Sequence, residues 1–144
     1  MRNGYIQSEP VKAEACIKAA TNAARLDAVI EDVFRWIEQD GGRGFYPRTF
    51  ALVFTPSGPH ICRLDPYDLL AVTQLASDTN GDTTYDAVWT TVDYRLLPSN
   101  AAATTPRSPY WEVAINQFVG TQFFSLFPFS VQITGRWGFY EEAK

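Results

Sequence analysis

Three aspartates, Asp78, Asp82 and Asp86, surround Asn80 and Gly81 in the stretch ASDTNGDTTYDAV. Carboxylates this close together can ligate calcium, act as an acid and a base, or close a turn. A helix-flanked calcium loop takes oxygens from alternate positions, a glycine at its sixth and a bidentate glutamate at its twelfth. Counted from Asp78, the first three ligands fall on Asp78, Asn80 and Asp82, but Thr83 stands sixth and Trp89 twelfth. Asn80–Gly81 is instead a pair that tolerates the positive φ angles of a tight hairpin turn. The runs AVTQLAS and TTYDAVWTTV, suited to strands, flank it. The stretch predicts a hairpin and no metal site.

His60 is the single histidine, with Cys62 two residues on. On a strand the two would share a face, and a thiol beside an imidazole is a nucleophile and its base. No third group that would orient the pair is visible, and a histidine at a strand edge is the plainer reading. Cys16 and Cys62 have no histidine or cysteine neighbours at metal spacing. The N-terminus lacks the charged and then apolar blocks of an export leader, so both cysteines read as small buried hydrophobes. GGRG follows a helix pattern and opens none, which excludes a phosphate cradle of the usual kind. No catalytic residue, metal or cofactor is expected.

Net charge is −4, and the only lysines are Lys12, Lys18 and Lys144. A protein that grips nucleic acid needs a basic face for the phosphates. This balance suits a chain that lies beside DNA without adhering to it. No apolar run approaches the ~18 residues of a membrane span. Tyr110, Trp111, Phe118, Phe123, Phe124, Phe127, Phe129, Trp137, Phe139 and Tyr140 crowd the last third. A platform for sugars or bases would use exposed aromatics, but phenylalanine brings no polar edge to a wet site. Most of these residues are expected in the core. An exposed share within FVGTQFFSLFPF is expected to be covered by a neighbouring subunit.

The N-terminal third must position whatever the rest presents, and it reads as helix. Ser8 caps SEPVKAEACIKAA, with Pro10 early where its missing donor is harmless. A second helix follows a break at Thr21–Asn22. Leu26, Val29, Ile30, Val33, Phe34 and Ile37 form one apolar stripe on it, with Arg25, Asp27, Glu31, Asp32, Arg35 and Glu38 opposite. Gly41 and Gly42 close it. From Phe45 the chain turns to short β-branched and aromatic runs: RTFALVF, HICRL, LLAVTQLAS, TTYDAVWTTV, DYRLLP, YWEVAIN and SVQITGRWGFY. In the last run Val131, Ile133 and Gly135 share one side, and Gln132, Thr134 and Arg136 the other. PSNAAATTPRSP, residues 98–109, has the composition of a flexible or extended loop. The expected fold is α+β: N-terminal helices, then an antiparallel β-sheet or small β-sandwich. One domain spans 1–144, with a helical part at 8–41 and a mostly β part at 45–144.

These segments in this order resemble the head–tail connector adaptor proteins of tailed bacteriophages. The resemblance is carried by IEQDGGRGFYPRTF, DYRLLPSNA, PYWEVAI and FPFSVQITGRWGFY. The helix runs into an R-x-F segment at Arg43, Gly44 and Phe45. A Tyr-x-Leu-x-Pro-like strand before an asparagine loop falls on Tyr94, Leu96, Leu97, Pro98 and Asn100. The V-x-(V/I)-T-G-x-(W/F)-G segment falls on Val131, Ile133, Thr134, Gly135, Trp137 and Gly138. Each motif is short and structural, and none carries catalytic meaning. Members often continue past this strand into another helix, whereas this sequence runs only to Lys144.

The resemblance implies a virion protein, made in the host cytoplasm and placed at the head–tail interface. It implies a homo-oligomeric ring, dodecameric in expectation, whose partners are the portal protein and a tail or stopper protein, with DNA passing nearby. A neck or tail-terminator role in the same particle, and a β-sandwich ligand-binding module, are the alternatives. The expected interaction surfaces are the N-terminal helices, the 98–109 loop and the C-terminal tail. Arg43, Arg48, Arg107, Tyr110, Trp111, Phe127, Phe129, Trp137 and Tyr140 are the candidate interface residues.

Overall fold

The computed structural model describes residues 23–44, 46–104, 107–119 and 122–139. Helix α1 runs Ala23–Gly41. It ends where Gly42 takes φ +60°, the left-handed conformation that turns the last carbonyls away from a further turn. The expected first helix, and its cap at Ser8, lie outside the described residues.

Seven strands follow: β1 (Arg48–Phe54), β2 (Ile61–Arg63), β3 (Leu69–Ser77), β4 (Ala87–Trp89), β5 (Tyr94–Leu97), β6 (Glu112–Ile115) and β7 (Val131–Trp137). They form two antiparallel sheets, ordered β1-β7-β3-β4 and β2-β6-β5. The expectation of N-terminal helices followed by a single sheet or small sandwich is therefore corrected. The described residues hold one helix and two sheets in a small α+β fold. β1 and β3 occupy both edges of β7, β4 adds to β3, and β2, β5 and β6 satisfy their backbone groups among themselves. Pro56, Pro59, Pro66 and Pro98, which cannot donate to a ladder, stand between the short strands.

β7 carries the alternation read from its sequence. Val131, Ile133, Gly135 and Trp137 are buried, and Gln132, Thr134 and Arg136 are half-buried. Its neighbour β3 breaks alternation. Irregularities between Leu69 and Ala71 and between Val72 and Gln74 each insert a residue, so Leu69, Val72 and Leu75 reach the core at three-residue steps. The buried cluster draws on both sheets, with Phe54, Leu75, Trp89, Ile133 and Trp137 from one and Cys62, Val113 and Ile115 from the other. Trp137 is 3% exposed and lies against Phe50, Phe54 and Tyr67, while its indole Nε1 donates to the Phe50 carbonyl at 3.1 Å.

Gly135 leaves no room for a side chain between β7 and β3. A Cβ there would collide with the Ala71 carbonyl oxygen and stand 3.2 Å from Leu69 Cδ1, whereas a Cβ at Gly44 would meet open space. Gly135→Ala is expected to cost about 3 kcal/mol, the upper part of the overpacking range, because backbone must move to admit the methyl group. Gly44→Ala is expected to be near neutral. Urea unfolding of the two variants beside the unmodified protein measures the difference.

Candidate functional site

The carboxylate stretch is a closed structural unit. β3 and β4 pair as Leu75↔Trp89, Ala76↔Val88 and Ser77↔Ala87, so the expected hairpin exists, but its connection runs from Asp78 to Asp86. Positive φ falls on Gly81 and Thr83, not on the Asn80–Gly81 pair that a two-residue turn needs. The cause is Asp78. Its carboxylate accepts the backbone N–H groups of Asn80 (3.0 Å), Gly81 (2.7 Å) and Thr83 (2.8 Å). Removal from water pushes its carboxyl up, but these N–H groups outweigh that and hold it below the ordinary carboxylate range. Asp82 repeats the pattern on a smaller scale, accepting from Thr84 N and Asn80 Nδ2. Among the described residues no group of three or more His, Cys, Asp or Glu side chains is placed to hold a metal.

His60 and Cys62 do not share a face. β2 begins at Ile61, so His60 precedes the strand; its ring is exposed and lies 5.6 Å from that of Phe123, while Cys62 is fully buried. Burial pushes the Cys62 thiol up to about 12, far from a reactive thiolate. Cys16 lies outside the described residues.

The candidate interface residues separate into two groups. The arginines are engaged within the chain. Arg43 Nη1 stands 3.7 Å from Asp68 Oδ2, Arg48 Nη2 lies 3.4 Å from Glu38 Oε2, and Arg107 Nη2 donates to the Leu70 carbonyl. The last bond anchors Arg107 to β3; elsewhere in the 98–109 segment a short 3₁₀ turn spans Ala101–Ala103, with Ala101 buried and Ser108 N donating to Ala101 O. Trp137 belongs to the core, and half-buried Tyr110 bridges to Leu69 through backbone hydrogen bonds in both directions. Tyr140 lies outside the described residues. Trp111, Phe127 and Phe129 are exposed.

Phe127 and Phe129 are part of a larger apolar surface. Phe118 is 93% exposed, and Val119, Phe123 and Leu126 are exposed beside it in sequence. Part of the backbone that carries them, around Phe124 and Phe129, is held by the rest of the chain. Phe124 is buried and stacked on Trp89 with ring centroids 4.8 Å apart, and its N–H donates to the Pro59 carbonyl at 3.0 Å. Phe129 N–H donates to Thr55 Oγ1 at 3.0 Å, and the Tyr85 hydroxyl donates to the Phe129 carbonyl at 2.7 Å. Composition had pointed to this segment; which of its rings turn inward depended on Trp89 and Pro59, both distant in sequence.

A second apolar surface lies on α1, within the helical part expected to be an interaction surface. Val29, Val33 and Ile37 of the α1 stripe face outward together with Trp36, which is 65% exposed. α1 packs extensively against no strand; Glu38 on it pairs with Arg48 of β1, and Arg43, two residues past its end, pairs with Asp68. A helical stripe is normally read as core; Trp36 within it is the one sequence signal of a different use. No helix among the described residues is long and apolar enough to cross a membrane. Compared with known proteins, the chain matches no family model, no curated protein and no solved structure.

The Arg43–Asp68 contact has a pH signature. Asp68 is 8% exposed, Arg43 43%, and Asp68 Oδ2 has no hydrogen-bond donor. Burial pushes the Asp68 carboxyl up, Arg43 pulls it down, and Asp65 adds to the rise, leaving it above the ordinary value. A raised folded-state pKa contributes stability that is present below the unfolded value of about 4 and lost as pH rises through the folded value. Without Arg43 that loss deepens. Arg43→Ala is expected to cost on the order of 1–2 kcal/mol at pH 7, between exposed and buried pairs, and much less near pH 3. Denaturant melts across that range test it; a penalty independent of pH would show that Arg43 acts through packing alone.

Proposed function

We propose that this chain is a non-catalytic structural subunit of a tailed-phage particle, an adaptor that forms a ring between portal and tail. The observation that carries the reading is the set of exposed apolar side chains at Phe123, Leu126, Phe127 and Phe129, on a backbone anchored from within at Phe124 and Phe129. A fixed apolar surface is suited to burial against protein, because little ordering cost is left for binding to offset. The exposed large side chains there are phenylalanine and leucine, which bring no hydroxyl or N–H to a sugar, and this favours a subunit interface over a carbohydrate module. Net charge of −4 suits a channel wall that DNA passes without adhering. The family resemblance of the R-x-F, Tyr-x-Leu-x-Pro and TGRWG segments supplies the portal and tail as partners and the virion as location.

The test is cosedimentation with the cognate portal assembly at micromolar concentration and moderate salt. The unmodified chain is expected to travel with the portal. The double variant Phe127→Ser, Phe129→Ser is expected to keep its melting temperature within a few degrees and to lose most of the bound fraction. Absence of any cosedimentation by the unmodified chain would overturn the reading.

A further inference from the structure

The chain presents two apolar surfaces of different shape, and we infer that they are the two halves of one interface. The α1 stripe Val29–Val33–Trp36–Ile37 of one copy docks on the Phe118–Phe129 surface of the next. The inference rests on the reading that the chain works as an assembly of copies, and it names the contact that builds the assembly.

Area gives the first argument. With about 200 Å² for a fully exposed aromatic side chain, Phe118, Val119, Phe123, Leu126, Phe127 and Phe129 leave roughly 700 Å² of apolar side chain in water. The α1 stripe leaves roughly 400 Å² more on the same scale. Together these barely exceed the roughly 1,000 Å² that a specific interface needs, so the contact is weak between two free copies.

Charge decides which surface meets which. α1 carries Asp27, Glu31, Asp32, Glu38 and Asp40 against only Arg25 and Arg35. Two such helices side by side would bring like charges together around their apolar stripes. From Asn116 to Ser130 the sequence has no charged residue at all. An acid-flanked helix meets no repulsion there, and Trp36 supplies the kind of large amphipathic anchor that dominates interface energetics. Pairing unlike surfaces is heterologous association, which leaves one surface of each kind free at the ends and lets further copies add.

Backbone geometry gives an independent argument. Phe129 holds φ at +57° while its side chain is 60% exposed. A bulky residue in the left-handed region is strained, and strain of this kind persists only where the surroundings enforce it. Here Thr55 Oγ1 and the Tyr85 hydroxyl clamp both backbone groups of Phe129, and the product is an apolar ring held outward.

Two variants with unlike lesions test the pairing: Val33→Glu on α1 and Phe118→Glu on the aromatic segment, both at exposed positions and each checked by circular dichroism. Sedimentation velocity from micromolar to millimolar concentration is expected to show association of the unmodified chain, weakened about tenfold or more in each variant alone. An equimolar mixture of the two variants is expected to form a species of two subunits and nothing larger, because each retains the surface the other lacks. Three results would overturn the inference: an unmodified chain that stays monomeric throughout, a Val33→Glu variant that associates like the unmodified chain, or a mixture with no heterodimer. Portal cosedimentation is read separately, so association through these surfaces without portal binding would reject the adaptor reading and leave this inference standing.

Discussion

The structure depends on β7 being hydrogen-bonded along both edges. Val131 to Trp137 pairs with β1 on one side and β3 on the other, so a segment near the end of the sequence joins strands that begin at Arg48 and Leu69. Its buried face supplies Val131, Ile133 and Trp137 to the core. Gly135 completes that face by omission, since the Ala71 carbonyl occupies the space a side chain would take. β4 extends this sheet beyond β3, and β2, β6 and β5 form the second one.

Charge in this protein works mostly inward. Arg43, Arg48 and Arg63 each face a carboxylate of the same chain, and Arg107 reaches a backbone carbonyl. The carboxylate of Asp78, in a stretch that looks from its composition like a metal or catalytic site, is taken up by backbone N–H groups. What the molecule offers outward in the two surfaces of interest is apolar area. An assembly held by such area, between partly screened acidic subunits, forms more readily as salt rises, the opposite of the behaviour of a protein that holds nucleic acid.

The two apolar surfaces are positioned differently. The stretch from Phe123 to Phe129 is pinned to the rest of the chain through Phe124, Thr55 and Tyr85. α1 presents its apolar residues from a regular helix, with Glu38 paired to Arg48 of β1 in a contact exposed enough to be worth little.

The sequence alone determined the features whose physics is local. The apolar spacing of α1 and its stop at Gly41–Gly42, the runs RTFALVF and LLAVTQLAS as β1 and β3, and the alternation of β7 all follow from periods set by neighbouring residues. The excess of aromatics in the last third was legible in the same way. Tertiary structure alone decided the division into two sheets and the inserted residues of β3, because both depend on which strand lies alongside. It also decided that Arg43 meets Asp68, that Trp137 is core while Phe127 and Phe129 are surface, and that half of the α1 stripe faces outward. Each of these is a contact, or the lack of one, between residues far apart in the chain. Periodicity shows that a helix has an apolar face, but only the arrangement of the other elements determines whether anything in the chain covers it.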